Sequence, residues 1–230
     1  IVLNRLINNG VPLEKIVLIP IGVNTNQFKP PSKKERKTAR YYFNFKKDEI
    51  VIGSFQKDGQ GWGNGLIPKL IKGPDIFVDV IEELNEQFNI KILLTGPARG
   101  FLKQKLKSKN ISFVHHYLRD YSNLIKYYHA LDFYLITSRE EGGPMGLLES
   151  MSSGVPVIST KVGMAPDLIK SNKTGLIIDS FDSTVIAQNI KKMIKNKNLN
   201  EIKVSARKII KRVDWDVVAS KHLKKVYFEI

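Results

Sequence analysis

The feature that most constrains the fold is a repeated alternation of short apolar runs with longer helical patterns. The runs are rich in β-branched residues and mostly continuous, which is typical of strands buried on both faces of a parallel sheet. They cover Ile16–Ile19, Ile50–Phe55, Ile90–Thr95, Ile111–His115, Phe133–Thr137, Val155–Ser159 and Leu176–Ile178. The helical patterns between them cover Pro74–Phe88, Ala98–Ser108, Ser122–Ala130 and Pro144–Ser153. This order predicts an α/β fold with a doubly wound parallel sheet.

The rest of the chain is organised around this sheet. Ligands of such sheets bind beyond the carboxyl ends of the strands, and the most unusual residues of this chain follow Phe55, Thr95 and Thr137. Residues from about 182 to 230 are helical in pattern, with Asp182 or Ser183 suited to cap the first of these helices. No Pro/Ser-rich linker divides the sequence, so we predict one domain over residues 1–230 that ends in a helical extension.

Composition excludes several classes of protein. The chain has 230 residues, of which 42% are hydrophobic, enough to build a core. The absence of cysteine rules out a disulfide framework, a thiolate zinc site and a cysteine nucleophile. No apolar run reaches the roughly 18–20 residues of a membrane-spanning helix. No leader pattern follows Ile1, so we expect no signal peptide, a cytoplasmic location and a sequence cut from a longer one.

The net charge of +15 arises from 37 Lys and Arg against 22 Asp and Glu and suggests a polyanionic partner. Two runs carry much of it, Lys29–Lys47 with a net charge of +7 and Lys191–Lys225 with +9. Solvated helix faces explain such runs, and an anionic membrane surface is the alternative, which would place the protein at the inner face of the membrane. No helix-turn-helix, zinc-finger or aromatic RNA-binding signature accompanies the charge, so we do not expect nucleic-acid binding.

The most informative stretch runs from residue 138 to residue 156. Pro144 fits the first position of a helix, and Gly154 fits the left-handed position just past its end, so a helix of about three turns is predicted to follow Gly142 and Gly143. The free amides of a helix start and its partial positive charge favour an anion there. The absence of side chains at both glycines lets an anion approach the backbone. The stretch therefore has the form of a phosphate cradle, although such a Gly-Gly-Pro segment is also common as a plain loop.

Two carboxylates flank this cradle. Glu141 precedes the glycines, and Glu149 lies more than one helical turn further along. Carboxylates are poor ligands for phosphate, so we interpret both as acceptors for hydroxyl groups of a sugar or ribose. The alternative is that a helical glutamate of this kind is simply solvated.

Several motifs occur in a fixed order along nearly the whole chain. They are Pro20-Ile-Gly-Val-Asn24 with Phe28-Lys-Pro30, Ile52-Gly-Ser-Phe55, Lys72-Gly-Pro-Asp75, Leu94-Thr-Gly-Pro97, Glu141 and Glu149 with seven residues between them, Gly154-Val-Pro156, Val162-Gly-Met-Ala-Pro-Asp167, Thr174-Gly175, and Trp215 near the last helix. In this order they resemble the C-terminal, donor-binding half of retaining GT-B glycosyltransferases, the glycosyl transferases group 1 or family 4.

The resemblance implies a Rossmann-like sheet with closing C-terminal helices, and a hexosyltransferase whose donor is a nucleotide-diphosphate sugar with UDP, GDP or ADP. Glu141 would bond the hexose hydroxyls and Lys72 would neutralise the departing diphosphate, which makes them the catalytic residues. Glu149 would hold the ribose. The other implied donor-binding residues are Gly53, Lys57, Gly96, Gly142, Gly143, Met145, Gly146 and Leu147.

The resemblance also implies no cofactor and no metal ion. The glycan or lipid-linked acceptor would be held by an N-terminal domain that this sequence lacks, so little turnover is expected from the chain alone. Asp214 and Asp216 match a metal-binding pattern on paper, but we interpret them as residues of a helix start.

The chain departs from the family pattern beside the first strand. Where the family usually has arginine, this sequence has Ser54-Phe-Gln-Lys57, and Lys57 is a candidate replacement without the forked geometry of a guanidinium. A glycine-rich insertion, residues 58–65, follows; its spacing is wrong for a dinucleotide-binding fingerprint, and we predict a mobile loop. Trp62 within it either stacks on the donor or covers the loop. For His115 and His116, a structural role is favoured over a donor contact.

Two other functions remain open at this stage. One is a nucleotide-sugar epimerase of the same fold, against which the spacing of the two glutamates argues. The other is a non-catalytic basic module that binds nucleic acid or anionic lipid.

Overall fold

A computed structural model describes residues 2–228, and its centre is one sheet of six parallel strands. The strands are β1 (Ile50–Phe55), β2 (Ile90–Thr95), β3 (Phe113–His116), β4 (Phe133–Ile136), β5 (Val157–Thr160) and β6 (Leu176–Ile178). Their order across the sheet is β3-β2-β1-β4-β5-β6, and every neighbouring pair is parallel. The predicted doubly wound, Rossmann-like parallel sheet is confirmed.

The position of β1 determines where a ligand can bind. This strand pairs with β2 on one side, where Ile52 lies opposite Ile92, and with β4 on the other, where Ile52 lies opposite Phe133. The strand order therefore reverses between β1 and β4. In open parallel sheets the crevice at such a reversal, beyond the carboxyl ends of the strands, is the usual ligand site.

Ten α-helices surround the sheet in the described part of the chain. They are α1 (Val2–Asn8), α2 (Lys33–Tyr42), α3 (Pro74–Asn85), α4 (Gly100–Ser108), α5 (Ile125–Ala130), α6 (Met145–Ser152), α7 (Ala165–Leu168), α8 (Ser183–Ile194), α9 (Leu199–Ile210) and α10 (Trp215–Leu223). Short 3-10 turns cover Leu13–Lys15, Leu70–Lys72, Tyr121–Leu124 and Lys211–Val213, and a π-helical turn covers Lys224–Phe228. No helix in residues 2–228 is long and apolar enough to cross a bilayer.

The core consists of two apolar clusters, one on each face of the sheet. Successive strand residues point to opposite faces, so Val51 belongs to one cluster and Ile52 to the other. The first cluster joins the sheet to helices α2, α5 and α6, and the second joins it to α3, α4 and α8. Because both faces of the sheet are covered, the strand sequences are continuous runs of mostly apolar residues.

One predicted strand is wrong. Ile16–Ile19 is irregular, and the only regular structure beside it is the turn Leu13–Lys15. Its side chains at Val17 and Leu18 are about half exposed, 49% and 62%. The chain forms a parallel bridge only later, between Val23 and Asp214. A run of branched apolar residues predicts a strand only where a neighbouring strand is free to pair with it.

Helix α2 was not among the predicted helices, although its start signal is strong. The Ser32 hydroxyl accepts a hydrogen bond from the Glu35 amide, and the Glu35 carboxylate accepts one from the Ser32 amide, which completes a capping box. The segment is highly charged and buries one residue, Ala39, so it shows no apolar periodicity from which a helix could be predicted.

The predicted caps of the C-terminal helices are confirmed. Asp182 accepts hydrogen bonds from the amides of Thr184 and Val185 at the start of α8. Asp214 accepts bonds from the amides of Thr25 and Asp216, so it caps α10 and also holds the N-terminal segment. These contacts support the interpretation of Asp214 and Asp216 as helix-start residues.

Candidate functional site

The crevice between β1 and β4 contains an ion pair between Lys72 and Glu141. The Lys72 ammonium lies 2.5 Å from Glu141 Oε1, and the Ser138 hydroxyl donates to the same oxygen at 3.0 Å. Glu141 Oε2 has no hydrogen-bond partner among residues 2–228, and the side chain keeps about 10% of its exposure. The second oxygen is therefore available to accept from a ligand hydroxyl.

The backbone around Lys72 is fixed by its contacts with the end of β4. Gly73 has a φ of +61°, and a Cβ there would lie 1.9 Å from the Thr137 carbonyl oxygen, so only glycine fits. The Thr137 hydroxyl donates to the Gly73 carbonyl at 2.8 Å. Lys72 is thus presented to the crevice by a turn that is tied to the neighbouring strand.

A second tie joins the start of α3 to the loop after β4. The Arg139 guanidinium forms a bidentate pair with Asp75 at 2.9 and 2.6 Å, and it holds the Asp75 pKa below its ordinary value. The Arg139 amide donates to the Ile71 carbonyl. Together these contacts bring the loop that carries Lys72 against the loop that carries Glu141.

A cavity of about 270 Å³ opens at this ion pair. Its lining is almost entirely charged or glycine: Arg5, Lys69, Ile71, Lys72, Glu140, Glu141 and Gly142. Arg5 reaches the cavity from α1 and pairs with Glu140. Three cations face two carboxylates, so the cavity is suited to an anion that also carries hydroxyl groups.

Helix α6 begins next to this cavity, one residue later than the sequence predicted. Pro144 has extended backbone angles and caps the helix instead of forming its first turn, and the helix is eight residues long, just over two turns. Within residues 2–228, no acceptor is present for the amides of Gly142, Gly143, Met145 and Gly146. These free amides have the arrangement that a phosphate cradle requires, and phosphate binding there stays a prediction.

The glycines of the cradle serve different purposes. A Cβ at Gly142 would meet nothing within 4 Å, so this position is open to a ligand. At Gly143 a Cβ would lie 2.7 Å from Ile21, and at Gly146 it would lie 2.2 Å from the Tyr134 hydroxyl. The last two glycines therefore let the chain pack closely. The Tyr134 oxygen also accepts from the Phe55 amide at 3.0 Å, which links α6 to the end of β1.

Glu149 is buried behind the cradle and is 3% exposed. The Tyr128 hydroxyl donates to its Oε2 at 2.6 Å, and the Tyr121 hydroxyl donates to its Oε1. Burial raises the Glu149 pKa, while the two phenols act in the opposite direction by stabilising the carboxylate. Tyr121 is about half exposed, so it separates the carboxylate from solvent. Neither tyrosine was singled out from the sequence.

The glycine-rich loop is anchored at both ends, although the sequence predicted a mobile one. The Lys69 amide donates to the Asp58 carbonyl at 2.7 Å, and the Gly100 amide at the start of α4 donates to the Asn64 carbonyl at 2.7 Å. Gly65 packs directly on the Ala98 backbone. Only the tip is exposed, with Trp62 at 84%.

A buried arginine explains this anchoring. The Arg99 guanidinium is fully buried and donates to the carbonyls of Ser54, Gln56 and Thr95 at 2.6–2.8 Å. Its Nε lies 3.0 Å from Asp58 Oδ1, an electrostatic contact without good hydrogen-bond alignment. Burial raises the pKa of Asp58, against the opposing charge of Arg99. Arg99 thus holds the ends of β1 and β2 and is not free to bind phosphate.

Lys57 lies beside the crevice and contacts the loop tip. Its ammonium is 3.8 Å from the centre of the Trp62 ring, a cation–π contact. Trp62 also borders a second cavity, of about 610 Å³, whose lining includes Gly96, Lys103, His115 and Tyr117. A role for Lys57 as the replacement of the family's arginine stays a prediction.

Two of the other predicted site residues lie deeper in the fold. Gly53 is buried in β1, where a Cβ would lie 2.4 Å from Leu131, so its place in the structure serves packing. Leu147 is fully buried in the core. The Gly96 carbonyl lies 2.9 Å from His115 Nε2 at the wall of the larger cavity. His116 Nδ1 is 2.9 Å from the Tyr127 hydroxyl, which agrees with structural roles for both histidines.

A family model for the glycosyl transferases group 1 matches residues 67–209 of this sequence. That range is more than half of the chain and includes both Lys72 and the pair Glu141 and Glu149. This chain belongs to the glycosyl transferases group 1 family. The sheet and its flanking helices are accordingly the C-terminal half of a GT-B fold.

Members of this family and structures of the same fold are similar to most of the chain. A lipopolysaccharide core biosynthesis mannosyltransferase of Rhizobium meliloti is 30% identical over 70% of the chain and 45% of its own length. Anabaena HepE, solved with UDP and glucose, superposes with a TM-score of 0.81 at 19% identity, over 98% of this chain and 60% of its own.

A third likeness matches the extent of this chain more closely. The C-terminal domain of a glycosyl transferase group 1 protein of Francisella tularensis superposes with a TM-score of 0.65 at 22% identity. It covers 83% of this chain and 97% of its own length. By contrast, this chain spans about half the length of the curated relatives that it matches.

Proposed function

We propose that this chain binds a nucleotide-diphosphate sugar and supplies the donor side of a retaining hexosyl transfer. The observation that carries the proposal is the crevice at the strand-order reversal, where the Lys72–Glu141 pair lies beside the unpartnered amides that begin α6. Solved relatives of the fold contain UDP and UDP-glucose, which supports a donor of this class.

Each part of the crevice suits one part of the donor. The amides of Gly142, Gly143, Met145 and Gly146 take the diphosphate, together with the Lys72 ammonium. Glu141 Oε2 accepts from a hexose hydroxyl. Glu149 holds the ribose once Tyr121 gives up its hydrogen bond to Oε1, while Tyr128 continues to hold Oε2.

The chemistry follows from the charge that develops in the reaction. When the bond between the anomeric carbon and the diphosphate oxygen breaks, its electron pair leaves with the diphosphate. Cations and amides that are already in place stabilise this charge without reorganisation. The acceptor oxygen then bonds to the anomeric carbon, and its proton passes to the departing diphosphate oxygen. We propose that the acceptor, a glycan or a lipid-linked sugar, is held mainly by residues outside this chain, so that the chain alone turns over little donor.

Isothermal titration calorimetry of the 230-residue chain with UDP, GDP and ADP tests this function. We expect one nucleotide to bind in the micromolar to millimolar range. Lys72→Met should weaken it about tenfold or more, since a charge-assisted contact to phosphate is worth about 1.5–3 kcal/mol. Lys107→Met, at an exposed lysine of α4, is the matched control and should leave the affinity unchanged.

The same titration separates the alternatives. A donor site would be contradicted if none of the three nucleotides bound. It would also be contradicted if Lys72→Met and Lys107→Met lowered the nucleotide affinity equally. Binding of DNA that falls steeply with salt and survives Lys72→Met would instead favour a basic nucleic-acid module. Product analysis with a nucleotide sugar distinguishes transfer from epimerisation.

A further inference from the structure

A third cavity lies at the opposite end of α6 from the phosphate cradle. It measures about 400 Å³ and is bordered by Gly154, just past the end of that helix, and by α9. Most of its wall is apolar and comes from Pro30, Pro31, Tyr128, Leu131, Val155 and Val204. A cavity of this size and wall composition suits a small molecule with an apolar body.

Three cations line the same cavity, Arg36, Lys203 and Arg207. Arg36 pairs with Asp132 at 2.7 Å. Arg207 donates to the carbonyls of Thr25, Phe28 and Ser152 and, like Lys203, has no carboxylate oxygen within 4 Å among residues 2–228. Within 4 Å, the three cations have one carboxylate partner among the described residues, Asp132, which is shared with Arg40. Asp214 lies further from Arg207 and offsets part of its charge.

Lys203 is the cation with the least compensation. It is half-buried, and burial together with the nearby Arg36 lowers its pKa, while Asp132 acts weakly in the other direction. Partial burial of an ammonium group is unfavourable unless an anion or hydrogen-bond acceptors compensate it. The described chain offers it no such partner.

Besides the uncompensated cations, the cavity has an unpaired buried hydroxyl group beside it. Ser153 lines the cavity and is fully buried, and its hydroxyl has no hydrogen-bond partner within the described structure. Buried hydroxyls are nearly always paired, so an unpaired one beside a cavity is consistent with a polar ligand there.

We propose that this cavity binds a small organic oxyanion, a phosphate or carboxylate carried on an apolar body, with Lys203 as its main charged contact. The site is separate from the donor crevice, because α6 lies between the two. Tyr128 connects the cavity to Glu149, since it borders the cavity and its hydroxyl donates to that carboxylate.

Ligand-observed NMR titrations of the 230-residue chain test the site with phenyl phosphate and benzoate as probes. At least one of them should bind with a dissociation constant of about 1 mM or lower, and the stronger of the two identifies the anion. Phenol and inorganic phosphate, which each lack one half of the required chemistry, should bind at least tenfold more weakly. Equal binding of inorganic phosphate would overturn the proposed apolar contact.

Amino-acid substitutions test whether the probe binds in this cavity. Lys203→Met should weaken binding about tenfold or more, whereas Lys208→Met, at an exposed lysine of the same helix, should not. Val204→Glu adds a repelling carboxylate at a rim position that is 70% exposed, so the fold should tolerate it while binding is lost. Unchanged affinity in both Lys203→Met and Val204→Glu would overturn the proposal. So would displacement of the probe by UDP, which would place it in the donor crevice.

Discussion

Glu149 is subject to two opposing physical demands. A carboxylate that is 3% exposed loses most of its hydration, and among residues 2–228 only the hydroxyls of Tyr121 and Tyr128 compensate it. Under the proposed function Glu149 bonds a ribose, which requires it to keep its charge and its acceptor oxygens. Residues of this kind commonly lower the stability of a fold in exchange for function.

We therefore expect Glu149→Gln to stabilise the chain at neutral pH while it weakens nucleotide binding. The folded-state pKa of Glu149 is raised, so the folded state binds the extra proton and its stability falls as the pH rises through the interval above the unfolded value of 4.5. Near pH 7 the variant should melt about 2–4 °C higher, the shift that roughly 1 kcal/mol produces in a domain of this size.

Thermal unfolding followed by circular dichroism at several pH values checks this prediction. The difference between Glu149→Gln and the original chain should shrink toward pH 4, where Glu149 is protonated in both folded and unfolded states. Glu86→Gln, at the exposed position that follows the last residue of α3, is the control and should show no such trend. A melting temperature that is lower for Glu149→Gln at neutral pH would contradict the expectation.

At the scale of single residues, the sequence predicted the charged residues of the site but not the side chains that bind them. The spacing of Glu141 and Glu149 and the position of Lys72 were apparent from motifs. The tyrosines that hold Glu149 are 28 and 21 residues away from it along the chain, and no local pattern connects them. The use of Gly53 and Gly146 for packing was likewise hidden, because the side chains that fill their space, Leu131 and Tyr134, come from other elements.

Among the elements, the glycine-rich loop 58–65 begins at one partner of a buried ion pair. Arg99 and Asp58 are almost wholly removed from solvent, with side-chain exposures of 0% and 2%. Removing one partner of such a pair leaves an uncompensated buried charge and typically costs 3–5 kcal/mol. The loop and the ends of β1 and β2 should lose their mutual contacts together.

We expect Arg99→Met to lower the free energy of unfolding by about 3–5 kcal/mol in urea titrations. Adding Asp58→Asn should recover a substantial part of the loss, because it removes the charge that Arg99 compensates. Arg119→Met, at an exposed arginine, should change stability by less than about 0.5 kcal/mol. Equal effects of the two arginine variants would show that the buried pair does not hold this region.

Local patterns predicted the elements unevenly. Apolar runs predicted four of the strands to within one residue and β3 and β5 to within two residues, since strands covered on both faces need continuous apolar sequence. The same rule failed at residues 16–19, where no partner strand is available. The loop 58–65 was expected to be mobile because glycines permit freedom, but here they permit close approach to Ala98.

For the whole molecule, the donor crevice joins elements from both halves of the sheet, so ligand binding should stabilise the fold as a unit. At a UDP concentration about 100 times the dissociation constant, linkage adds about 2.7 kcal/mol. We expect the melting temperature to rise by roughly 5–10 °C if UDP is the nucleotide that binds. Far-ultraviolet circular dichroism and tryptophan fluorescence should report the same transition, and Lys72→Met should reduce the shift.

The structure also shows where some of the positive charges that contribute to the net charge of +15 lie. Lys72 and Lys69 line the proposed donor crevice, whereas Arg36, Lys203 and Arg207 line the cavity at the far end of α6. The sequence showed how much charge there is and in which runs it lies, but the fold is needed to show that residues 36, 203 and 207 meet. The long basic runs thus include a local cluster with a defined geometry.

The Tyr134 hydroxyl lies beneath Gly146 and accepts from the Phe55 amide, so one phenol joins the two banks of the crevice. This shared phenol limits the movement of α6 relative to the end of β1. Under the proposed function, the backbone that meets the diphosphate is therefore ordered during folding, before any ligand binds. Binding free energy is then available for choosing between one sugar nucleotide and another.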